Sequence, residues 1–415
     1  MEAKKPQDAP LRVMMLIGAY APVVGGGERH AQLLSEALVA QGQEVTVLTR
    51  RTQADFPREE VLHGVRVRRV GPSGMPRWGK YLMMPAAAWY LWRHRHAYDV
   101  LQVCAFRVLG WVGGWISLTT GKAVVLRAEA CGEWSGAFTR KEKPNPVLRG
   151  YLAVRNRVLL RCDRFLSISR VIREEYVAGG IPEEKILEIT NGIDLQPFRP
   201  AGSAAEQRGL REALGLPVAV PCWCYLGKLI EGKGLTFLLQ LFAEMRRTHP
   251  ELHLVLIGAG GGQFLDCEAE LRTQVADLGL QGAVTFTGYT TRVPEWLRAC
   301  DGLLFPSEAE SLGLAAVEAM ASGIPVLVSD VGGLKDVVTH DVNGMRLPPK
   351  DLDAWQRAWT SLLGDPERSR RLAQAGRERA VAGFDIREIA QQTTAAFSAL
   401  TQTPSTQTQS TRTQS

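Results

Sequence analysis

Short apolar runs alternate with segments of helical period along most of this chain, the pattern of βα units around a parallel sheet. LRVMMLIG opens the series, followed by a glycine-rich loop and the amphipathic stretch ERHAQLLSEALVAQG. EVTVLTR reads as the next strand, and the alternating VRVRRV as an edge strand. DVLQVCA, AVVLRAE, RFLSIS and KILEITNGI continue the run, so residues 10–195 read as one α/β domain. Pro, Gly and small polar residues without periodicity then mark 196–216 as a linker. A second series starts afresh with AVPCWCYLG, LHLVLIGAG, AVTFTG, GLLFPS and PVLVSD, each followed by helix-like sequence, and spans 217–375. LTFLLQLFAEMRRTHP, for example, carries an apolar stripe and stops before Pro250. Residues 350–400 are helical in pattern throughout. The polar, low-complexity tail 401–415 cannot bury a core and is expected to be disordered. Two such α/β halves joined by a short linker make a cleft, and ligands of open α/β sheets sit beyond the carboxyl ends of the strands.

Composition narrows the class. The 45% hydrophobic content is ordinary for a globular protein of 415 residues. No apolar run reaches the roughly 18 residues of a membrane span. The N-terminus is charged before its first strand-like run, unlike a secretory signal. Seven cysteines are scattered without C-x-x-C or His/Cys ligand spacing, which suggests reduced thiols in a reducing, cytoplasmic compartment and no metal site. Residues 1–200 hold 29 Lys and Arg against 19 Asp and Glu, and the remainder 20 against 24. The basic half suits an anionic substrate, membrane surface or nucleic acid, or is simply solvated charge.

Four loops after strands carry candidate chemistry. In GAYAPVVGGGERH, Gly25, Gly26 and Gly27 open a helix, where bare amides bind phosphate or an oxyanion, or where glycine serves only the turn. The spacing is not G-x-G-x-x-G, and the following strand ends in Thr49-Arg50 where a dinucleotide site wants an acid. In YLGKLIEGKGL, Lys228 and Lys233 precede a helix and either clamp a diphosphate or are solvated. IGAGGGQ, beginning its glycines at Gly258, is a weak nucleotide signal by itself. The strongest is FPSEAESLGLAAVEAMASGIPVLVSD, with Glu310 before Leu312-Gly313-Leu314 and Glu318 within the next helix. Free amides at the helix start meet phosphate or sugar oxygens, and two carboxylates grip vicinal hydroxyls; the alternative is a helix cap and a solvated Glu.

Glu310 and Glu318 within ESLGLAAVEAMASGIPV resemble the motif of the retaining glycosyltransferases of family four, which have the GT-B fold of two Rossmann-like α/β domains facing each other across a cleft. GGGERH, ITNGID, GKLIEGKG and GGLKDVV fall in that family's order, and the resemblance covers roughly residues 11–395. It implies acceptor binding by the N-terminal domain, nucleotide-sugar binding by the C-terminal one, and last helices, 376–400, that cross back to the first domain. Glu318 would hold ribose hydroxyls and Glu310 the donor sugar. Lys233 would bind the diphosphate with Lys228 beside it, helped by the amides of Gly313 and Leu314. Leu312 and Gly258 belong to the same donor set, Val293 lies in the loop flanking the base, and Gly26 with Gly27 approaches the donor from the first domain. Two departures stand out: the family usually has Arg at Lys228, and many members carry a His in the stretch that reads Arg127-Ala128-Glu129-Ala130-Cys131-Gly132-Glu133 here. Glu129 or Glu133 is a candidate for acceptor-side chemistry in its place, whereas His30 is expected to be structural.

The function so implied is transfer of a sugar, with retention, from a nucleoside diphosphate to a glycan or lipid-linked acceptor. No metal or other cofactor is expected, since lysines and helix-terminal amides can absorb the leaving group's charge. An epimerase or phosphorylase on the same architecture and a sugar-nucleotide sensor are the rivals; nucleic acid is not expected as a partner. One further stretch, Arg77–His96, sets Trp78, Tyr81, Leu82, Pro85, Trp89 and Trp92 at helical spacing among basic residues. It suits peripheral contact with the inner face of an anionic membrane, or else packs its rings on the sheet.

Overall fold

The computed structural model describes residues 9–23, 25–75, 78–137, 145–261 and 265–402. The chain divides into one unit of Met1–Gly192 with Ile386–Ser415 and another of Ile193–Asp385. Among the described residues the first unit has an eight-stranded sheet. Its strands are β1 (Arg12–Ile17), β2 (Glu44–Arg50), β3 (Glu59–Leu62), β4 (Val65–Val70), β5 (Val100–Cys104), β6 (Ala123–Arg127), β7 (Arg164–Ser167) and β8 (Ile186–Glu188). Their order is β3-β4-β2-β1-β5-β6-β7-β8, and only β3–β4 is antiparallel. Central β5 is buried along its whole length, as a strand covered on both faces must be. Helices α1 (Gly26–Ala40), α2 (Gly79–Arg93), α3 (Phe106–Thr120), α4 (Pro146–Leu159) and α5 (Arg170–Ala178) supply the crossovers. From β1 to β2 the chain moves one way along the sheet, and from β4 through β5 and β6 to β7 it moves the other. Right-handed crossovers therefore put α1 on one face and α2, α3 and α4 on the opposite face.

The second unit begins with α6 (Ala204–Leu214). Alternating strands and helices follow: β9 (Cys222–Leu226), α7 (Leu235–Thr248), β10 (His253–Ile257), α8 (Glu268–Asp277), β11 (Val284–Phe286), α9 (Val293–Ala299), β12 (Gly302–Phe305), α10 (Leu314–Ala321), β13 (Val326–Ser329), α11 (Leu334–Val337) and β14 (Met345–Leu347). The sheet order is β11-β10-β9-β12-β13-β14, and every pair is parallel. Helices α12 (Leu352–Gly364) and α13 (Pro366–Gly383) close this unit. Trp359 of α12 packs its ring 5.4 Å from that of Trp223 in β9.

Several sequence expectations need correction. VRVRRV is not an edge strand: β4 lies inside the sheet, and the short, acidic β3 forms the edge through a hairpin at His63 and Gly64, both at positive φ. The linker 196–216 contains α6, which is capped by Ser203 accepting from the Glu206 amide and packs on α9. The helical run 350–400 is three helices, broken at Asp365, which caps α13, and again at Phe384-Asp385. The chain returns to the first unit at Ile386 rather than 376, because α13 packs on α10 while α14 (Ile386–Gln402) packs on α1. Of the tail 401–415, Thr401 and Gln402 end α14, and the rest lies outside the described residues. No helix among the described residues is long and apolar enough to cross a membrane.

Candidate functional site

In the second unit the chain leaves β9 toward β10 on one side, whereas β12 leads to β13 on the other. The connections after adjacent β9 and β12 therefore lead to opposite sides, which makes the carboxyl end of these two strands the switch point of the sheet. Both loops carry the candidate residues. Lys233, from the loop after β9, donates from Nζ to Glu310 Oε1 in the loop after β12 at 2.5 Å. The Ser307 hydroxyl donates to the same oxygen at 3.0 Å. Lys233 is 26% exposed and Glu310 12%, so the pair is half sheltered yet reachable.

Glycines bring these two loops together. Gly234 has φ +70, and a side chain on it would fall on the Pro306 carbonyl at the end of β12. The Glu308 amide donates to the Gly232 carbonyl at 2.9 Å. Gly332 and Gly333 of GGLKDVV lie against the backbone of Glu310 and Ser311, with the Gly333 amide donating to the Glu310 carbonyl at 2.9 Å. Gly313, at φ +99, is the N-cap of α10 and packs on Leu334. Leu312 is buried, Leu314 opens α10, and Glu318 is half-buried one turn along it. Lys228 is exposed, and its carbonyl accepts from the buried Tyr225 hydroxyl at 3.0 Å. Gly258 faces the Gly227 carbonyl and donates to Thr287 Oγ1 at 3.2 Å. Val293 is half-buried at the start of α9. Of the IGAGGGQ loop, Gly262 and Gln263 lie outside the described residues. Sequence reasoning missed Ser307, Tyr225 and Thr287, because a hydroxyl that positions another residue has no motif of its own.

The first unit gathers a second cluster at the carboxyl ends of β1 and β6. Gly25 caps α1 in extended conformation, and Gly26 has open space where a side chain would stand. A Cβ on Gly27 would lie 2.9 Å from Glu129 Oε2. Both Glu129 oxygens are buried without a hydrogen-bond partner, and the Arg127 Nε lies 3.4 Å from Oε1. Burial raises the Glu129 pKa; Arg127 opposes this and Glu28 adds to it. Arg127 also donates to Asn191 of ITNGID at 2.5 Å. His30 is 1% exposed, with Nδ1 3.3 Å from the Gly192 carbonyl; burial and then Arg127 hold it far below an ordinary histidine. It is therefore a neutral core residue of α1.

Glu133 does not share the role offered for Glu129. Its Oε1 accepts from the amides of Glu129 (2.8 Å) and Ala130 (3.2 Å), and its Oε2 from the Arg107 amide at the start of α3 (3.1 Å). Glu175 of α5 likewise accepts from the amides of Gly132, Trp134 and Ser135. Two carboxylates thus fold the loop after β6 by using its amides, and Glu133 is a structural clamp. Burial still pushes its pKa up to about 7, against the lowering by these amides.

The aromatic stretch resolves differently from its packing alternative. Gly79, Met83, Ala87 and Leu91 form the buried stripe of α2, whereas Trp78, Tyr81, Trp89 and Trp92 are exposed. Arg77 lies outside the described residues. None of the seven cysteines forms a disulfide. Among the described residues no group of three or more His, Cys, Asp or Glu is arranged to hold a metal.

Residues 206–379 match the family described as Glycosyl transferases group 1, and residues 24–197 match Glycosyltransferase Family 4. A D-inositol 3-phosphate glycosyltransferase of Xylanimonas cellulosilytica is 30% identical over 371 residues, or 85% of this chain and 87% of its own. A sucrose-phosphate synthase structure from Thermosynechococcus elongatus matches with a TM-score of 0.81 at 25% identity, over 94% of this chain and 99% of its own. Anabaena HepE in complex with UDP and glucose matches with a TM-score of 0.77 at 21% identity, over 94% and 100% of the two chains. At that identity the likeness speaks for the fold.

Proposed function

The chain belongs to the group 1 glycosyltransferases of family 4, with the two Rossmann-like domains of the GT-B fold, and we propose that it moves a sugar from a nucleoside diphosphate to an acceptor with retention and without a metal ion. The observation that carries this reading is the Lys233–Glu310 pair at the switch point of the second unit. An ammonium has three donors, and Lys233 spends one on Glu310, which leaves two for phosphate oxygens. As the bond from C1 to the phosphate oxygen breaks, negative charge grows on the departing diphosphate. Lys233, exposed Lys228 and the start of α10 offer positive potential to that charge. Glu310, held by Lys233 and Ser307, accepts from donor-sugar hydroxyls, and Glu318 from those of the ribose. Gly258 and Val293 flank the nucleoside. In the first unit Gly26 leaves room for an approaching phosphate or sugar, and Glu129 serves the acceptor. The acceptor oxygen bonds to C1 on the face that the phosphate leaves, and its proton passes to the departing phosphate oxygen.

Product analysis tests the reading. Incubation with nucleotide sugars and acceptors in EDTA is expected to release nucleoside diphosphate only when acceptor is present. The glycoside is expected to keep the donor's anomeric configuration by NMR, and Glu318→Ala to raise the donor KM by roughly tenfold to a hundredfold, the loss of one or two charge-assisted hydrogen bonds. An inverted product, or activity lost to EDTA and restored by magnesium, would overturn it.

A further inference from the structure

Helix α2 packs on α3, and α3 packs on α4, so the three lie side by side on one face of the first sheet. Helices α2 and α3 bury apolar stripes, and α4 buries Leu152, Arg155 and Leu159, yet each also leaves large apolar side chains outward. On α2 and at its start these are Trp78 at 69% exposed, Trp89 at 63%, Tyr81 and Trp92. On α3 they are Trp115 and Leu118, and on α4 Val147 at 83%, Tyr151 and Val154. The Trp111 indole donates to the Tyr151 hydroxyl at 2.8 Å, joining α3 to α4 on this outer side.

The charge on these three helices has one sign. None of the three helices contains Asp or Glu, whereas Lys80, Arg93, Arg107, Arg149 and Arg157 on them are exposed. Partial burial of its stem, and then Arg107 and Arg50, hold Lys80 below its ordinary pKa, so cations crowd at the start of α2. Arg95 lies over the Trp92 ring at 4.8 Å, and Lys80 over Tyr81 at 5.7 Å. A solvated helix face normally mixes both signs and carries few large apolar groups.

We infer that the α2–α3–α4 face docks on an anionic lipid bilayer. The five exposed cations meet lipid phosphates, and the rings lie at headgroup depth. The outward aliphatic residues Leu118, Val147 and Val154 decide between polyanions: they gain from acyl chains and gain nothing from a nucleic acid's phosphates. The docking stands apart from the transferase reading; that the bilayer holds the acceptor is the one part that rests on it.

Flotation measures docking without any transfer reaction. Full-length protein at low salt is expected to float with vesicles of phosphatidylcholine containing a third of phosphatidylglycerol, and not with phosphatidylcholine alone. High salt is expected to release it, since the cations are screened. Trp89→Ser with Trp92→Ser, and separately Arg149→Glu with Arg157→Glu, are each expected to cut the floated fraction by about tenfold or more with thermal unfolding unchanged. No flotation on either vesicle, equal flotation on both, wild-type flotation of both variants, or a stable dimer that shields Trp89 from quencher would overturn the docking. The acceptor-dependent activity would stand or fall separately.

Discussion

The two carboxylates that follow β6 differ in what their oxygens meet. Glu133 is ringed by amides, and Glu129 has none. Glu133→Gln exchanges an acceptor oxygen for a donor that faces backbone N–H groups, at a cost of about 1–3 kcal/mol. Its folded pKa of about 7 exceeds the ordinary 4.5. The folded state therefore binds this proton more tightly than the unfolded chain does. The stability it contributes is present in full below about 4.5 and is lost as pH rises through about 7. Denaturation of wild type against pH is expected to show this fall, and Glu133→Gln to flatten it. Glu129→Gln disappoints no amide but takes the carboxylate from buried Arg127, at a cost of up to about 3–5 kcal/mol, and is expected to lose acceptor-dependent turnover; full turnover in the folded variant would remove Glu129 from the site. Neither distinction is legible in Arg127–Glu133, since both acids follow the same strand. The Lys233–Glu310 contact was equally hidden. The residue types are readable from their loops, but their meeting depends on β9 lying beside β12, across a crossover.

At the scale of elements, glycine separates turn geometry from close approach. Gly232 and Gly234 both have positive φ, but only Gly234 has a neighbour, the Pro306 carbonyl, where a Cβ would stand. Gly232→Ala is expected to cost only backbone strain, about 1–2 kcal/mol. Gly234→Ala adds a clash that drives the loop after β9 off the loop after β12. Thermal unfolding and nucleotide affinity of the two variants compare these effects; equal losses would mean that the approach to Pro306 does not position Lys233. Most strands were legible because their apolar runs are bounded by turns. Strand β3, Glu-Glu-Val-Leu, was not, since it is short, polar and fixed only by its hairpin with β4. Helix α6 was masked by Pro, Gly and Ser, although Ser203 followed three residues later by Glu206 is a capping pattern and its geometry is present.

The whole molecule is two units whose chain order and spatial membership differ. Helix α14 follows the second unit in sequence yet covers α1 of the first. Its Phe397 is fully buried, so Phe397→Ala is expected to destabilise the first unit by about 3–5 kcal/mol. Hydrogen exchange should accelerate in α1 and β1 and remain unchanged in β9 and β12; acceleration confined to the second unit would contradict this membership. Helical periodicity gives α14 from sequence, but not its partner, because an apolar stripe does not state which face it covers.

Lys233 of the second unit is expected to hold the nucleoside diphosphate, and the most direct measurement of this is thermal unfolding with each of the common nucleoside diphosphates in EDTA. At a hundredfold excess over Kd, a ligand bound only by the folded state adds about 2.7 kcal/mol, several degrees for a unit of this size. At least one nucleoside diphosphate is expected to raise the unfolding temperature of wild type by that amount. The shift should be absent at the same ligand concentration from Lys233→Ala. No shift with any of them, or an equal shift in Lys233→Ala, would contradict the site.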